Sequence, residues 1–203
     1  MTTPKDRNIP PETLGSLLSV LASLVWLGVA AIMAKVFGDL MAGQPVYPLR
    51  TGVWVIVLWG LRAALDMIHT EGMEAIWTRH ERLAGAVWAA CEAWAQAGPL
   101  TLNVAAPQHR SHAVTALRMG APHGTNLRRY TEHQAGVTLG IGLGMSEPDD
   151  PMGDGFFRIG HMGHVNAHMV LGTLASMQAG FDALELPYGA GALDAAAKAL
   201  SGA

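Results

Sequence analysis

The sequence predicts an α+β fold, a small antiparallel sheet with helices on one face, preceded by an N-terminal hydrophobic helical hairpin. Three observations predict it. From Thr13 to Ala34 there is no ionisable side chain, and that run ends at Lys35. Between Leu61 and Ala97 the apolar residues recur at helical spacing. From Ser111 onward, short alternating apolar stretches and helix patterns follow in the order strand, helix, strand, strand, helix, which describes helices packed on one face of an antiparallel sheet.

Taken in order, residues 1–12 are polar and proline-bearing, with Lys5 and Arg7, and read as a disordered lead-in. Residues 13–59 form the hydrophobic hairpin. At about 1.5 Å per residue, Thr13 to Ala34 is long enough to cross the ~30 Å hydrocarbon layer of a bilayer. The rest of the chain is too small to wrap such a helix on all sides, which favours a membrane span. A cleaved signal peptide is the competing reading, with Lys5 and Arg7 as its basic end and Gly28-Val29-Ala30 at the cut. The apolar run is long for that. Gly43, Pro45 and Pro48 break the chain before a second apolar run, Thr51 to Leu61, bounded by Arg50 and Arg62. Its eleven residues suit a second span only if Arg62 snorkels or the helix starts earlier; a buried strand or a helix start fits as well.

The remaining residues, 60–203, make the α+β domain. Ile76, Leu83, Val87 and Trp94 continue an apolar helical stripe opposite Glu74, Arg79, Glu81 and Arg82, and Gly98-Pro99 stops it. Strands are expected at Ser111–Met119, Gly136–Gly144 and Phe156–Gly160, and helices at Gly124–His133, Asn166–Leu184 and Ala192–Leu200, with Asn166 as an N-cap. Net charge of −3 and a pI near 6.3 give no electrostatic reason to expect nucleic acid. Cys91 is the single cysteine, so no internal disulfide forms, and its setting Ala89-Ala90-Cys91-Glu92 reads as an inert buried thiol.

One residue stands out by chemistry. Arg158 sits inside an apolar strand, Phe156-Phe157-Arg158-Ile159-Gly160, and a charge so placed must find an anion or reach water. An ion pair with a carboxylate of the chain would satisfy it; so would a ligand carboxylate, which the planar guanidinium fork suits. Strand alternation puts Phe157 and Ile159 on one face and Arg158 with Phe156 and Gly160 on the other, where a ligand has access. His161, His164 and His168 follow at metal-like spacing, but no carboxylate or cysteine joins them, so no metal site is expected. Gly140-Ile141-Gly142-Leu143-Gly144 resembles a phosphate loop only superficially, because Ser146-Glu147-Pro148 breaks the chain where a helix should open.

The segment Phe157-Arg158-Ile159-Gly160-His161-Met162-Gly163-His164-Val165-Asn166 is similar to the C-terminal signature of class V, fold type I, pyridoxal-phosphate aminotransferases of the alanine-glyoxylate and serine-pyruvate group. Further blocks agree in order: Gly60 to Ile68, Trp77-Thr78-Arg79-His80, Arg110 to Leu117 and Thr138 to Gly144. The resemblance covers roughly residues 60–203. It implies the family's small C-terminal domain, with Arg158 as the arginine that holds the substrate carboxylate of a small amino acid or 2-oxo acid, and Gly140–Gly144 at the entrance to the active site. It also implies pyridoxal phosphate as cofactor and a homodimer, or a heterodimer with a full-length homologue. The family's lysine for the cofactor has no counterpart: Lys5, Lys35 and Lys198 are the only lysines, and none has the family's setting. Where the family carries a Gly-Thr-x-Pro segment, this chain reads Thr51-Gly52-Val53-Trp54. The expectation is therefore a partial aminotransferase, inactive alone, with no catalytic and no cofactor-binding residue of its own.

Residues 13–59 look instead like the first membrane hairpin of an ABC exporter of the cysteine/glutathione type. That resemblance implies a chimeric reading frame joined near Gly60, with the aminotransferase piece as a passenger or interaction module. The expected location is the inner membrane, anchored through residues 13–34 with the C-terminal domain in the cytoplasm; a wholly cytoplasmic protein is the alternative.

Overall fold

A computed structural model of the chain describes residues 11–43, 48–147 and 149–202; for residues 11, 12, 14, 15 and 48–51 it describes the backbone only. The chain parts into two compact units, Met1–Trp77 and Thr78–Ala203. This divide follows compactness, whereas the boundary expected at residue 60 follows resemblance, and the two need not coincide.

The first unit is a pair of antiparallel helices, α1 (Pro11–Met41) and α2 (Pro48–Glu71). Residues 1–10 of the expected lead-in lie outside the described residues, and its last two positions already belong to α1. Proline suits that first helical position, because its missing N–H would have had no partner there. Along α1 the residues turned toward α2 recur four and three apart: Leu18, Ala22, Val25, Val29, Ile32 and Val36. That is a narrow coiled-coil seam. Everything beside it stays outside: Leu24 is 55% exposed, Leu27 65% and Phe37 65%.

Thr51 to Leu61 does not stand alone, as the sequence left open. It is the first half of α2, which runs through Arg62 without a break because Asp66, one turn on, takes the guanidinium at 2.7 Å. The helix ends at Gly72, which adopts a positive φ of 84°. Two stretches, Ser16–Met41 and Gly52–Glu71, are long and apolar enough to cross a membrane, and only 6% of the most apolar window of each is buried. A soluble core helix would be covered.

The second unit is α+β. It takes in most of α3 (Met73–Trp94), then β1 (Thr101–Leu102), β2 (Val114–Arg118), α4 (His123–Ala135), β3 (Gly140–Ile141), β4 (Phe156–Gly160), α5 (Ala167–Ala183) and α6 (Ala192–Ser201). The four strands form one antiparallel sheet in the order β1-β2-β4-β3. Thr115 and Leu117 of β2 pair with Ile159 and Phe157 of β4, and these four point to the buried face.

Against that face lie Leu83, Val87 and Trp94 of α3, Leu127 of α4, and Leu174, Met177 and Phe181 of α5, all 0–1% exposed. Leu83, Val87 and Trp94 of the helical stripe read from the sequence are thus the core contact of α3; Ile76 is not part of that core. Trp94 meets Phe181 edge-on at 5.0 Å. Asn166 caps α5 as expected, its side chain accepting from the Met169 N–H at 3.0 Å. One expectation needs correction: Gly136–Gly144 is not a nine-residue strand. Only Gly140 and Ile141 pair with β4, and the chain then turns through bonds from Leu143 N–H to Ile141 O and from Met145 N–H to Gly142 O. The two-residue β1 was not anticipated.

Candidate carboxylate-binding site

Arg158 occupies the centre of β4, between Ala116 of β2 on one side and Gly140 of β3 on the other. Both neighbours are small, and the long side chain needs that room. A Cβ at position 140 would lie 3.4 Å from the Cβ of Arg158 and 3.6 Å from its Nε. The next glycine is required outright: a Cβ at Gly142 would collide with the Cβ of Phe156.

The guanidinium is held at one point. Its Nε–H donates to the carbonyl of Ile141 at 2.7 Å. Among the described residues no carboxylate pairs with it. Of the two partners the sequence allowed, a carboxylate of the described residues is therefore not the one used here. The fork's terminal nitrogens remain on the face of the sheet opposite the helices, where Ala116, Phe156 and Arg158 are half-buried and Arg118 and Gly160 exposed. A planar, singly anchored guanidinium can offer two parallel N–H donors to a carboxylate.

Beside this site, the turn after β3 and the segment before β4 border an open cleft of about 530 Å³, with Arg128, Leu143, Ser146 and Asp154 among its walls. Thr125 donates to Asp154 across its floor at 2.7 Å. Ile141 to Gly144 thus edge a cleft, though neither Gly140 nor Arg158 lines it.

The turn that follows β4 is fixed from two directions. The Arg79 Nη1 group donates to the carbonyls of Gly163 and Val165, each at 2.9 Å. His80 Nε2 lies 3.1 Å from the same Gly163 oxygen. Two blocks noted far apart in the sequence, Trp77–His80 and Phe156–Asn166, therefore meet in space. Behind β4, His161 is fully buried. Its Nδ1 lies 3.1 Å from the His112 carbonyl, which can only accept, so Nδ1 carries the proton. Nε2 then accepts from the Thr115 hydroxyl at 2.8 Å, and the Thr115 oxygen accepts from Trp88 Nε1–H at 3.0 Å. Burial pushes the His161 pKa down, with His80 and His112 adding to the effect and the bond to the His112 carbonyl opposing it.

With both ring nitrogens of His161 committed and His164 and His168 exposed, the three histidines do not converge. Among the described residues no group of His, Cys, Asp or Glu is arranged to hold a metal. Arg110 is likewise a structural residue: it donates to Glu92 at 2.6 Å and to the carbonyls of Val104 and Ala105, and lies over Trp88. The Trp88–Thr115–His161 chain and the Ile141 anchor were not found from sequence. A threonine facing the core side of a strand was the available signal for the first; nothing signalled the second, since it depends on strand register.

No family model matches the chain. It is 37% identical over 151 residues to a serine–glyoxylate aminotransferase of Arabidopsis thaliana, an alignment that covers 71% of this chain and 35% of that protein. It is 32% identical over 155 residues to an L-aspartate–glyoxylate aminotransferase of Paracoccus denitrificans, covering 75% and 36%. The solved ureidoglycine–glyoxylate aminotransferase of Bacillus subtilis superposes with a TM-score of 0.60 at 26% identity, over 71% of this chain and 35% of that one. These two relatives and this structural neighbour are glyoxylate aminotransferases by name, aligned over 71–75% of the chain, and the chain spans about a third of their length.

Proposed function

We propose that residues 60–203 are the small C-terminal domain of a pyridoxal-phosphate aminotransferase of the alanine-glyoxylate or serine-pyruvate type, with Arg158 as its grip on the substrate carboxylate. The supporting observation is the singly anchored guanidinium, which has no carboxylate partner among the described residues and lies on the open sheet face of a domain similar to several glyoxylate aminotransferases. The substrates would be a small amino acid as donor and a 2-oxo acid as acceptor, and Arg158 would orient either through its carboxylate. A full-length homologue, or a second copy, would be the dimer partner.

The described residues do not fit the cofactor. Lys35 is tied to Asp39 at 2.8 Å on α1, and Lys198 is exposed on α6, which packs on α5 at the helical side of the sheet and not on the Arg158 face. The cleft beside β3 carries Glu147, Asp149, Asp150 and Asp154, which would repel a phosphate. On this reading the chain by itself does not transaminate. Mixing the purified full chain with pyridoxal phosphate tests it. The expected result is an unchanged free-cofactor spectrum and no pyruvate formed from alanine and glyoxylate. An aldimine absorbance band abolished by changing one lysine would overturn it.

The hairpin supports a membrane anchor through residues 13–34, because two apolar helices keep most of their surface uncovered. The inner membrane, with the C-terminal domain on the cytoplasmic side, is the location we propose. Carbonate-washed membranes should retain the chain; release into the supernatant would sink this part. The exporter origin of the hairpin rests on its apolar composition, and an unbroken aminotransferase gene upstream of the Gly60 codon would exclude a chimeric reading frame.

A further inference from the structure

We propose that the Arg62–Asp66 pair lies within the hydrocarbon layer and is one half of a polar contact between two copies of this chain. This rests on the membrane reading above and goes beyond it by naming the partner. The levels come from one hydrogen bond. Arg62 Nη1 lies 3.4 Å from the carbonyl of Ala22, so these two positions face each other across the hairpin. Counting at about 1.5 Å per residue from that level, Lys35 on α1 lies about 20 Å away and residue 50, an arginine, about 18 Å away on the same side. Thr13 and Glu71 lie about 14 Å away on the other. The band between these edges is about 32–34 Å thick, matching the ~30 Å hydrocarbon layer, and Arg62 falls within a few ångströms of its middle.

Snorkelling from that depth is not what the side chain does. Its Nε donates to Asp66 Oδ2 at 2.7 Å, and its Cζ lies 5.8 Å from the Trp26 ring centroid. The pair is nevertheless incomplete: Asp66 is 50% exposed, and neither its Oδ1 nor Arg62 Nη2 has a partner among the described residues. In hydrocarbon no water completes such groups, and α1 offers no ionisable side chain between Thr13 and Ala34. What covers Asp66 must bring polar groups to the same depth. A second copy inserted in the same orientation does so by symmetry, because a two-fold axis along the membrane normal sets both pairs at one level. Each free Oδ1 then accepts from the other copy's guanidinium, and four charges close on themselves. The cleft beside the pair, about 200 Å³ and lined by Val25, Trp26, Val29, Leu58 and Trp59, is open on that flank and takes an apolar side chain of the second copy.

Matched cysteines test this in membranes carrying the full chain with Cys91→Ala. Ala63 lines the cleft, whereas Ala64 is on the other flank of α2. Ala63→Cys should form a disulfide-linked dimer under mild oxidation and Ala64→Cys should not; adding Asp66→Asn should cut the Ala63→Cys yield at least fivefold. Equal yields at the two positions, or a yield indifferent to Asp66→Asn, would overturn the dimer contact while leaving the anchor intact. A chain washed from the membranes by carbonate would overturn both, and that result is read before any cross-link is formed.

Discussion

Replacing Thr115 by valine keeps the shape of the side chain and removes the one atom on which two buried groups converge. Thr115 is 4% exposed, and its hydroxyl donates to His161 Nε2 while accepting from Trp88 Nε1–H. Without it, Nε2 of a fully buried imidazole loses its only donor, at about 1–3 kcal/mol. The Trp88 N–H is only half-buried and can turn to water, so its loss adds less, about 0.5–1 kcal/mol. The sum is about 1.5–4 kcal/mol. Urea unfolding of the full chain, followed by circular dichroism, should show a lower midpoint at unchanged slope. Thr115→Ser keeps the hydroxyl and forfeits one methyl, so it should cost about 1 kcal/mol. Should Thr115→Val unfold within 0.5 kcal/mol of the parent, or Thr115→Ser prove the worse of the two, the methyl and not the hydrogen-bond chain would be what matters there.

The same histidine sets a pH dependence. Its folded pKa lies below the ordinary 6.5, so between the two values the unfolded chain binds the extra proton. Stability should be full above about pH 6.5 and fall as pH drops toward the folded value, by up to about 1.4 kcal/mol per pH unit; His161→Gln should flatten that slope in urea midpoints measured from pH 7.5 to 5. Arg158→Ala should speed amide exchange at Gly140 and Ile141, which lose their anchor, and should weaken glyoxylate binding seen by chemical-shift titration about 10- to 100-fold, the equivalent of one charge-assisted hydrogen bond of 1.5–3 kcal/mol. Cys91 is fully buried, and burial pushes its thiol well above the ordinary range, so a thiol reagent should label it only at the global unfolding rate. Labelling in native buffer within minutes would contradict that core.

How far the sequence carried the fold depends on how locally each element is determined. β4 was legible to the residue because its alternation is written in four side chains and ended by Gly160. α5 was legible because Asn166 caps it and its apolar positions recur. β3 was overextended because three alternating glycines look like strand from their neighbours, although Gly142 meets Phe156 too closely to continue a ladder. β1 is two residues long and exists only because β2 is there to pair with. The second apolar run was cut at Arg62 for want of one comparison: Asp66 stands one turn on, the spacing at which a helix neutralises a charge along its own face.

The site shows the same limit from another side. Arg158 could be picked out because a guanidinium in an apolar strand is costly unless paired, and that cost is visible without coordinates. Its anchor could not, because the Ile141 carbonyl is brought to it only by the antiparallel register in which Gly140 faces Arg158. That register also sets how much of the side chain is held. One hydrogen bond at Nε fixes where the fork begins but leaves its direction free about the last side-chain bonds, and the small flanks Ala116 and Gly140 grant room without adding a second support. Orienting a carboxylate for chemistry takes contacts that restrict the ligand as well as the arginine. On the described residues such contacts would have to come from groups facing the open side of the sheet, where Phe156 and Gly160 offer no donor side chain and Arg118, paired with Phe156 from β2, does. On the function proposed above, the guanidinium would be a recognition element completed by other groups; this chain spans about a third of the length of its relatives.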